Sequence, residues 1–269
     1  MLVYSDWLLD TRSRMVNMTR RITAVIVLAV PLCLGSIGQN KSVESLVPDA
    51  RYFEVTGNVH ISRDSSKEKA APQSMDGMGR STVVWLEPID RAANAAPPPG
   101  DYKMMQKDKE FHPKLLVVPV GSTVSFPNAD PYFHNVFSLF NGRRFDLGLY
   151  ESGQTRRVAF NREGVSYIFC NIHPEMSAVI ISLKTPYYTM SDSKGAVTLQ
   201  RVPEGLYRLG VWSELASPET LRLLSRVVKV DRDGKDLGKI EIHASSQGID
   251  EHLNKFGLPY DTHSAVPPY

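Results

Sequence analysis

The chain has 269 residues, 42% apolar and 22% charged, with a formal net charge of +2. This is the make-up of one large folded domain or two modest ones, not of a disordered chain. No long basic run appears, which argues against an electrostatic nucleic-acid binder.

Near the start, Arg20 and Arg21 precede Ile22 to Leu34, an apolar run without a charge. The run is short for a membrane span and suits the core of a secretory leader. The small residues Gly35, Ser36 and Gly38 follow. A signal peptide over residues 1–38 is expected, cleaved near Gly35 or Gly38, with an uncleaved membrane anchor as the alternative. The mature protein is then periplasmic or secreted, with no stable membrane insertion. Asp6 and Asp10 make an unusual leader, so translation from Met15 or Met18 is an alternative start. Cys33 follows Leu32, which is too large for a lipoprotein signal. Beyond residue 38 acidic and basic residues balance and one cysteine remains, Cys170. One thiol cannot form an internal disulfide in an oxidising compartment, and it persists there best when something occupies it.

Tyr52 to Ile61 alternates as a strand does. Residues 62–80 read as a polar loop, 81–86 (STVVWL) as a strand and 92–101 as a Pro-rich loop. KLLVVPV (114–120) is an apolar strand that Gly121 turns into STVSF (122–126). Asn128, Asp130 and Pro131 break the pattern, which resumes at Phe133. RRVAF (156–160), VSYIF (165–169) and SAVIISL (177–183) continue the series, with turns at Gly153 and Gly164. Many short strands between turn residues, without a convincing amphipathic helix, describe a β-sandwich or barrel.

From about Thr185 a second set of strands follows: YYTM (187–190), AVTLQ (196–200), LYRLGVW (206–212), RVVKV (226–230) and GKIEIHA (238–244). They predict a smaller sandwich over 185–244 with Tyr207, Leu209 and Trp212 at its core or seam, then a polar tail over 245–269. Asp192, Asp231, Asp233 and Asp236 lack the spacing of a calcium loop and read as turn residues.

The segment CNIHPEM, 170–176, places Cys170, His173 and Met176 within seven positions. Each alone is more often a core or structural residue. A thiolate, two imidazoles and a thioether together are a copper set: two His and one Cys in a plane, with a weak axial Met. His134, at the restart of a strand among Tyr132, Phe133 and Phe137, is the candidate second imidazole. His60, His112, His243, His252 and His263 are less apt by position. Zinc uses similar atoms, but catalytic zinc keeps a water position and a base, and only Glu175 is near. Met75, Met78, Met104 and Met105 are a weaker candidate for a separate Cu(I) site.

These residues also carry a resemblance. PVGSTVSFPNADPYFHNVFS and GQTRRVAFNREGVSYIFCNIHPEM resemble the cupredoxin family, and the C-x2-H-x2-M loop is similar to the short amicyanin form. Asn128, Asp130 and His134 match the family's N-x-D-x-x-x-H stretch; Gly164, Tyr167, Phe169 and Cys170 match its approach to the loop in part. The likeness covers about 115–183 well and 51–112 loosely. Residues 186–213, with VPEGLYRL, are similar to a carboxypeptidase regulatory-like β-sandwich.

The resemblance implies an all-β protein: a cupredoxin-like Greek-key sandwich over 51–184, then a small β-sandwich over 185–244. It implies one type 1 copper ion held by His134, Cys170, His173 and Met176, in a non-enzymatic carrier of single electrons. Around these ligands, Asn135 is implied to tie the ligand loop to its strand, and Pro174 to stiffen the loop. Ile172 stands where the amicyanins have proline, so its N–H is free to donate to the Cys170 sulfur. A redox protein partner is expected to dock at the His173 edge, rimmed by Pro131, Tyr132 and Pro174. The alternatives are a periplasmic copper chaperone or store, which favours exposed exchangeable ligands, and a structural or adhesion module.

Overall fold

The computed structural model describes residues 51–62, 82–89, 96–139, 142–244 and 253–260. The expected leader, Met75, Met78, His252, His263 and most of the 62–80 loop lie outside the described residues. In chain order the strands are β1 (Tyr52–Ser62), β2 (Thr82–Pro88), β3 (Asp101–Lys103), β4 (Met105–Lys107), β5 (Glu110–His112), β6 (Leu115–Pro119), β7 (Ser122–Pro127), β8 (His134–Ser138), β9 (Phe145–Tyr150), β10 (Thr155–Phe160), β11 (Gly164–Phe169) and β12 (Ser177–Leu183). They continue as β13 (Tyr188–Met190), β14 (Ala196–Pro203), β15 (Gly205–Ser213), the helix α1 (Pro218–Leu224), β16 (Arg226–Val230) and β17 (Asp236–His243). The fold is all-β, as expected, and its sheets pack in pairs as β-sandwiches.

Alternation decides which side of each strand faces inward. In β7, Ser122, Val124 and Phe126 are buried while Thr123, Ser125 and Pro127 are less so. Strands β6-β12-β11-β8-β9 form a five-stranded sheet and β10-β7-β3 a three-stranded one. Val118, Val124, Phe126, Phe160, Ile168 and Ile180 belong to the core shared by the two. Strands β13-β2-β15-β16 and β14-β1-β17 form a second pair of sheets. Val55, Leu86, Leu199, Tyr207, Leu209 and Ile240 fill their core.

Strand pairing runs across the boundary expected at residue 184. β1 pairs antiparallel with β14 and parallel with β17, and β2 pairs with β13 and β15. The N-terminal strands assigned by sequence to the copper sandwich therefore complete the C-terminal one. Alternation reveals which side of a strand is apolar but not which strand lies beside it.

A third apolar cluster joins the two sandwiches. Val179, Ile181 and Leu183 of β12 meet Val83 of β2 and Trp212 of β15, with Leu115 and Val117 of β6. β12 is thus buried along its whole length, Ala178 and Ile180 facing one core and Val179 and Ile181 the seam. An unbroken apolar run such as SAVIISL is what a strand covered on both faces requires. Trp85 lies over Gly210, where an added Cβ would come within 2.1 Å of the indole. The Trp212 indole N–H donates to the Tyr167 hydroxyl at 3.5 Å.

Several elements carry no periodic signal in the sequence. β3, β4 and β5 are three residues each, too short to show a period. β9 contains Gly148 with φ +67°, which interrupts the strand pattern. α1 is a single short helix, capped by the Ser217 hydroxyl, which accepts from the Thr220 N–H at 3.2 Å, with Pro218 opening the first turn. The aspartates set aside as turn residues act as such: Asp192 Oδ1 accepts from the Lys194 and Ala196 N–H groups, and Asp231 Oδ1 from those of Asp233 and Gly234. No helix among the described residues is long and apolar enough to cross a membrane.

Candidate metal centre

β8 opens at His134 and β11 runs into Cys170, and the two strands pair through Phe137 and Phe169. Neighbouring antiparallel strands therefore deliver His134 and Cys170 to one end of the sheet. The chain then turns through 171–176 before β12 begins. The Cys170 N–H donates to the Met176 carbonyl at 3.2 Å and the Met176 N–H to the His173 carbonyl at 3.1 Å. This tight closure folds His173 back over Cys170.

Three donor atoms converge. Nδ1 of His134 lies 3.8 Å from Cys170 Sγ, Nδ1 of His173 lies 3.7 Å from it, and the two Nδ1 atoms are 3.1 Å apart. A metal bonded to such atoms at about 2.0–2.3 Å requires separations of this size, so one ion fits the triangle. Among the described residues these three form a group able to hold a metal. His134 and Cys170 are fully buried, whereas His173 is only partly covered. Met176 is fully buried in the same core cluster as Cys170. His60, His112 and His243 are exposed and lie outside the group. Met104 is fully buried in the core, which accounts for it without a separate copper site.

The histidine is oriented by Asp130. The carboxylate accepts from His134 Nε2 at 2.8 Å, which keeps the proton on Nε2 and leaves the Nδ1 lone pair facing Cys170. Asp130 is itself fixed by the N–H groups of Asp108 and Lys109 at 2.7 and 3.0 Å, and its own N–H donates to Asn128 Oδ1 at 3.0 Å. Asn128 Nδ2 in turn donates to the Tyr132 carbonyl at 2.7 Å. The Asn128-x-Asp130 match thus has a mechanical meaning: a small side-chain-closed turn aims the imidazole. Burial pushes the Asp130 carboxyl up, but the Lys109 and Asp108 N–H groups and His134 outweigh it and hold it below the usual range. Burial lowers both imidazoles, against the pull of Asp130 on His134 and with the added effect of His134 on His173.

The sulfur is held from the backbone. Burial raises the Cys170 thiol, while N–H groups of Asn135, Ile172 and His173 donate to the sulfur and pull the other way. The Ile172 N–H is therefore one of the donors, as its replacement of a proline allows. Asn135 departs from its expected role. Its backbone N–H, not its side chain, reaches Cys170. The side-chain Nδ2 donates to Asp146 on β9 at 2.7 Å, and the buried Oδ1 has no hydrogen-bond partner.

Sequence reading missed three groups beside the loop. Tyr260 donates its hydroxyl to the Cys170 carbonyl at 2.7 Å. The Lys255 N–H donates to Asn171 Oδ1 at 2.9 Å, and Lys255 Nζ donates to Asp146 Oδ2 at 2.8 Å. Burial pushes the Tyr260 phenol up, so it stays a donor. No local signal marks these residues, since their partners lie 84 and 90 positions away along the chain at Asn171 and Cys170. Asp130, by contrast, stands four residues before His134, a spacing visible in the sequence.

At the outer edge, the Tyr132 ring packs against both imidazoles, with centroids 5.4 Å from His134 and 5.8 Å from His173. Pro131, Phe133 and Pro174 are exposed around it. The rim is not purely apolar: Glu175 is exposed, and Lys109 lies 5.5 Å over the Tyr132 ring.

No family model and no curated protein matches the chain. Among solved structures the chain is similar to a copper-containing nitrite reductase (NirK) from Thermus scotoductus SA-01, at 26% identity over 33% of this chain and 23% of that one, with a TM-score of 0.30. It thus spans about a quarter of that enzyme's length. It is also similar to a purple cupredoxin from Nitrosopumilus maritimus, at 24% identity over 30% of this chain and 99% of that one, TM-score 0.28. An amicyanin variant in its reduced state is 21% identical over 30% of this chain and 81% of its own length, TM-score 0.29.

Proposed function

We propose that the chain is an exported, non-enzymatic electron carrier that holds one copper ion between His134 Nδ1, His173 Nδ1 and Cys170 Sγ, with the Met176 thioether as a weak fourth ligand. The observation that carries this reading is the convergence of two imidazole nitrogens and one buried thiol within 4.8 Å of one another. That donor set suits copper in either oxidation state. Bound there, copper supplies a one-electron couple between its +1 and +2 states.

The residues divide the work physically. Three backbone N–H groups hold the sulfur, and Asp130 holds His134 in one tautomer and one orientation. A cage fixed from outside changes little between charge states, which favours electron exchange over ion release. A chaperone or store calls for exposed, exchangeable donors, and His134 and Cys170 are fully buried. The partly covered edge of His173, beside Tyr132, Pro131 and Pro174, is the proposed docking edge for a redox partner. Copper titration of the metal-free protein tests the reading: an intense visible band at one equivalent, with a reversible one-electron wave, is expected. A chain that stays folded and takes up copper without that band would overturn it.

Two variants report on single contacts. Asp130→Asn replaces the carboxylate partner of His134 Nε2 and should weaken copper binding by about 10–100-fold, read by competition with a chelator. Retained affinity would show that His134 needs no such support. Ile172→Pro removes one N–H from the Cys170 sulfur. That donor draws charge from the thiolate, and the oxidised metal needs the charge more. The reduction potential should therefore fall by about 40 mV, the equivalent of ~1 kcal/mol for one hydrogen bond and one electron. A potential that stays level or rises contradicts this.

A further inference from the structure

The strand ladder around the site ends at Phe169, which is paired with both Phe137 and Ser177. The next carbonyl, that of Cys170, has left the sheet and needs a donor from elsewhere. Tyr260 provides one at 2.7 Å. The same short segment, 253–260, supplies the Lys255 N–H to Asn171 Oδ1 at 2.9 Å and the Lys255 ammonium to Asp146 at 2.8 Å. Asp146 accepts from Asn135, the residue after His134. One segment thus grips the ligand loop at two consecutive residues and reaches the His134 strand through Asp146.

The segment has its own shape. Asn254 Oδ1 accepts from the Phe256 and Leu258 N–H groups at 2.9 and 3.1 Å, and the Asn254 N–H donates to the Leu258 carbonyl at 2.9 Å. Gly257, at φ +76°, makes the turn in a region that other residues avoid. A preformed turn presents Lys255 and Tyr260 at fixed spacing, so little order is lost in docking them.

We propose that Lys255 and Tyr260 are positioning residues for the 170–173 loop, and that residues 253–260 act as a strap that holds the loop closed and shields the Cys170 thiol. The side chain of Asn135 binds Asp146 instead of the loop, and the strap takes over the tie between the loop and the His134 strand. The copper reading bears only on the optical arm of the test, because the grip runs through the Cys170 carbonyl, Asn171 and Asp146 and uses no proposed ligand side chain.

The test compares Tyr260→Phe, Lys255→Met and the double variant with the parent, in the metal-free full chain. Alkylation of Cys170 by iodoacetamide is read by mass at the Cys170 peptide. Amide exchange is followed over 171–176 and over β14. Each single variant should raise the alkylation rate about fivefold and the double variant about 20-fold, with faster exchange confined to 171–176. Lys229→Met, which removes an exposed lysine elsewhere, should leave both unchanged. In the copper-loaded chain the visible band should shift in Tyr260→Phe and Lys255→Met. Alkylation within twofold of the parent overturns the proposal, and so does exchange that rises equally in β14, since the segment would then be a general stabiliser. Faster alkylation in a chain that never shows the visible band upholds the strap and removes the copper reading. The band with unaltered alkylation does the reverse.

Discussion

Cys170→Ser should abolish the intense visible band and weaken copper binding by more than about 100-fold, beyond the effect of removing a supporting contact. The intense band comes from charge moving between a thiolate and the metal, and a serine hydroxyl has neither the polarisability nor the acidity for it. The site offers no substitute sulfur in the plane: beyond residue 38 Cys170 is the only cysteine. The fold should survive. The three N–H groups that face the sulfur can donate to a hydroxyl, so the swap should cost about 1–2 kcal/mol. Thermal unfolding of the metal-free variant and its copper spectrum check both parts. A serine variant that keeps the band would remove Cys170 from the ligand set and the electron-carrier reading with it.

A chain ending at Lys184 should fail to fold, although all four proposed ligands lie before that point. Ending there leaves β1 and β2 without β13, β14, β15 and β17. It also uncovers the outward face of the ligand-bearing sheet, where Val179, Ile181, Leu183, Leu115 and Val117 meet Trp212. Removing a buried tryptophan side chain alone costs about 3–5 kcal/mol. A protein of this size is stable by about 5–15 kcal/mol in total, so losing Trp212 with the whole cover over β12 exceeds any reserve. Circular dichroism and a urea titration provide the check. A cooperative transition together with the visible band would mean that residues 51–184 form an independent domain after all.

The candidate ligand loop was the most legible part of the chain. Three donor types stand within seven positions, and a turn of that length cannot carry them far apart. His134 was reachable as well, because it reopens a strand after a turn rich in Asn and Asp. Asp130 was visible as a matching position but not as the group that orients the imidazole, since the four-residue spacing acquires meaning only once the turn at Asn128 closes. The expected tie from the Asn135 side chain to the loop was misplaced for a related reason: an amide can reach either a neighbouring strand or a loop, and the approach of Asp146 on β9 decides between them.

By itself the sequence determined the all-β class, most strand positions and the candidate donors at 170–176, because alternation, turn residues and short-range spacing are local properties of the chain. Only the tertiary structure decided which strands are neighbours. β1 lies beside β14 and β17, and β2 beside β15, more than a hundred residues away. Only the tertiary structure, too, brought Lys255 and Tyr260 onto the ligand loop. Alternation specifies that a face must be covered, and a polar group that it must be partnered. What covers the one and partners the other is set by packing across the whole molecule, where SAVIISL is buried on both sides and Tyr260 partners a carbonyl that the sheet leaves behind at Cys170.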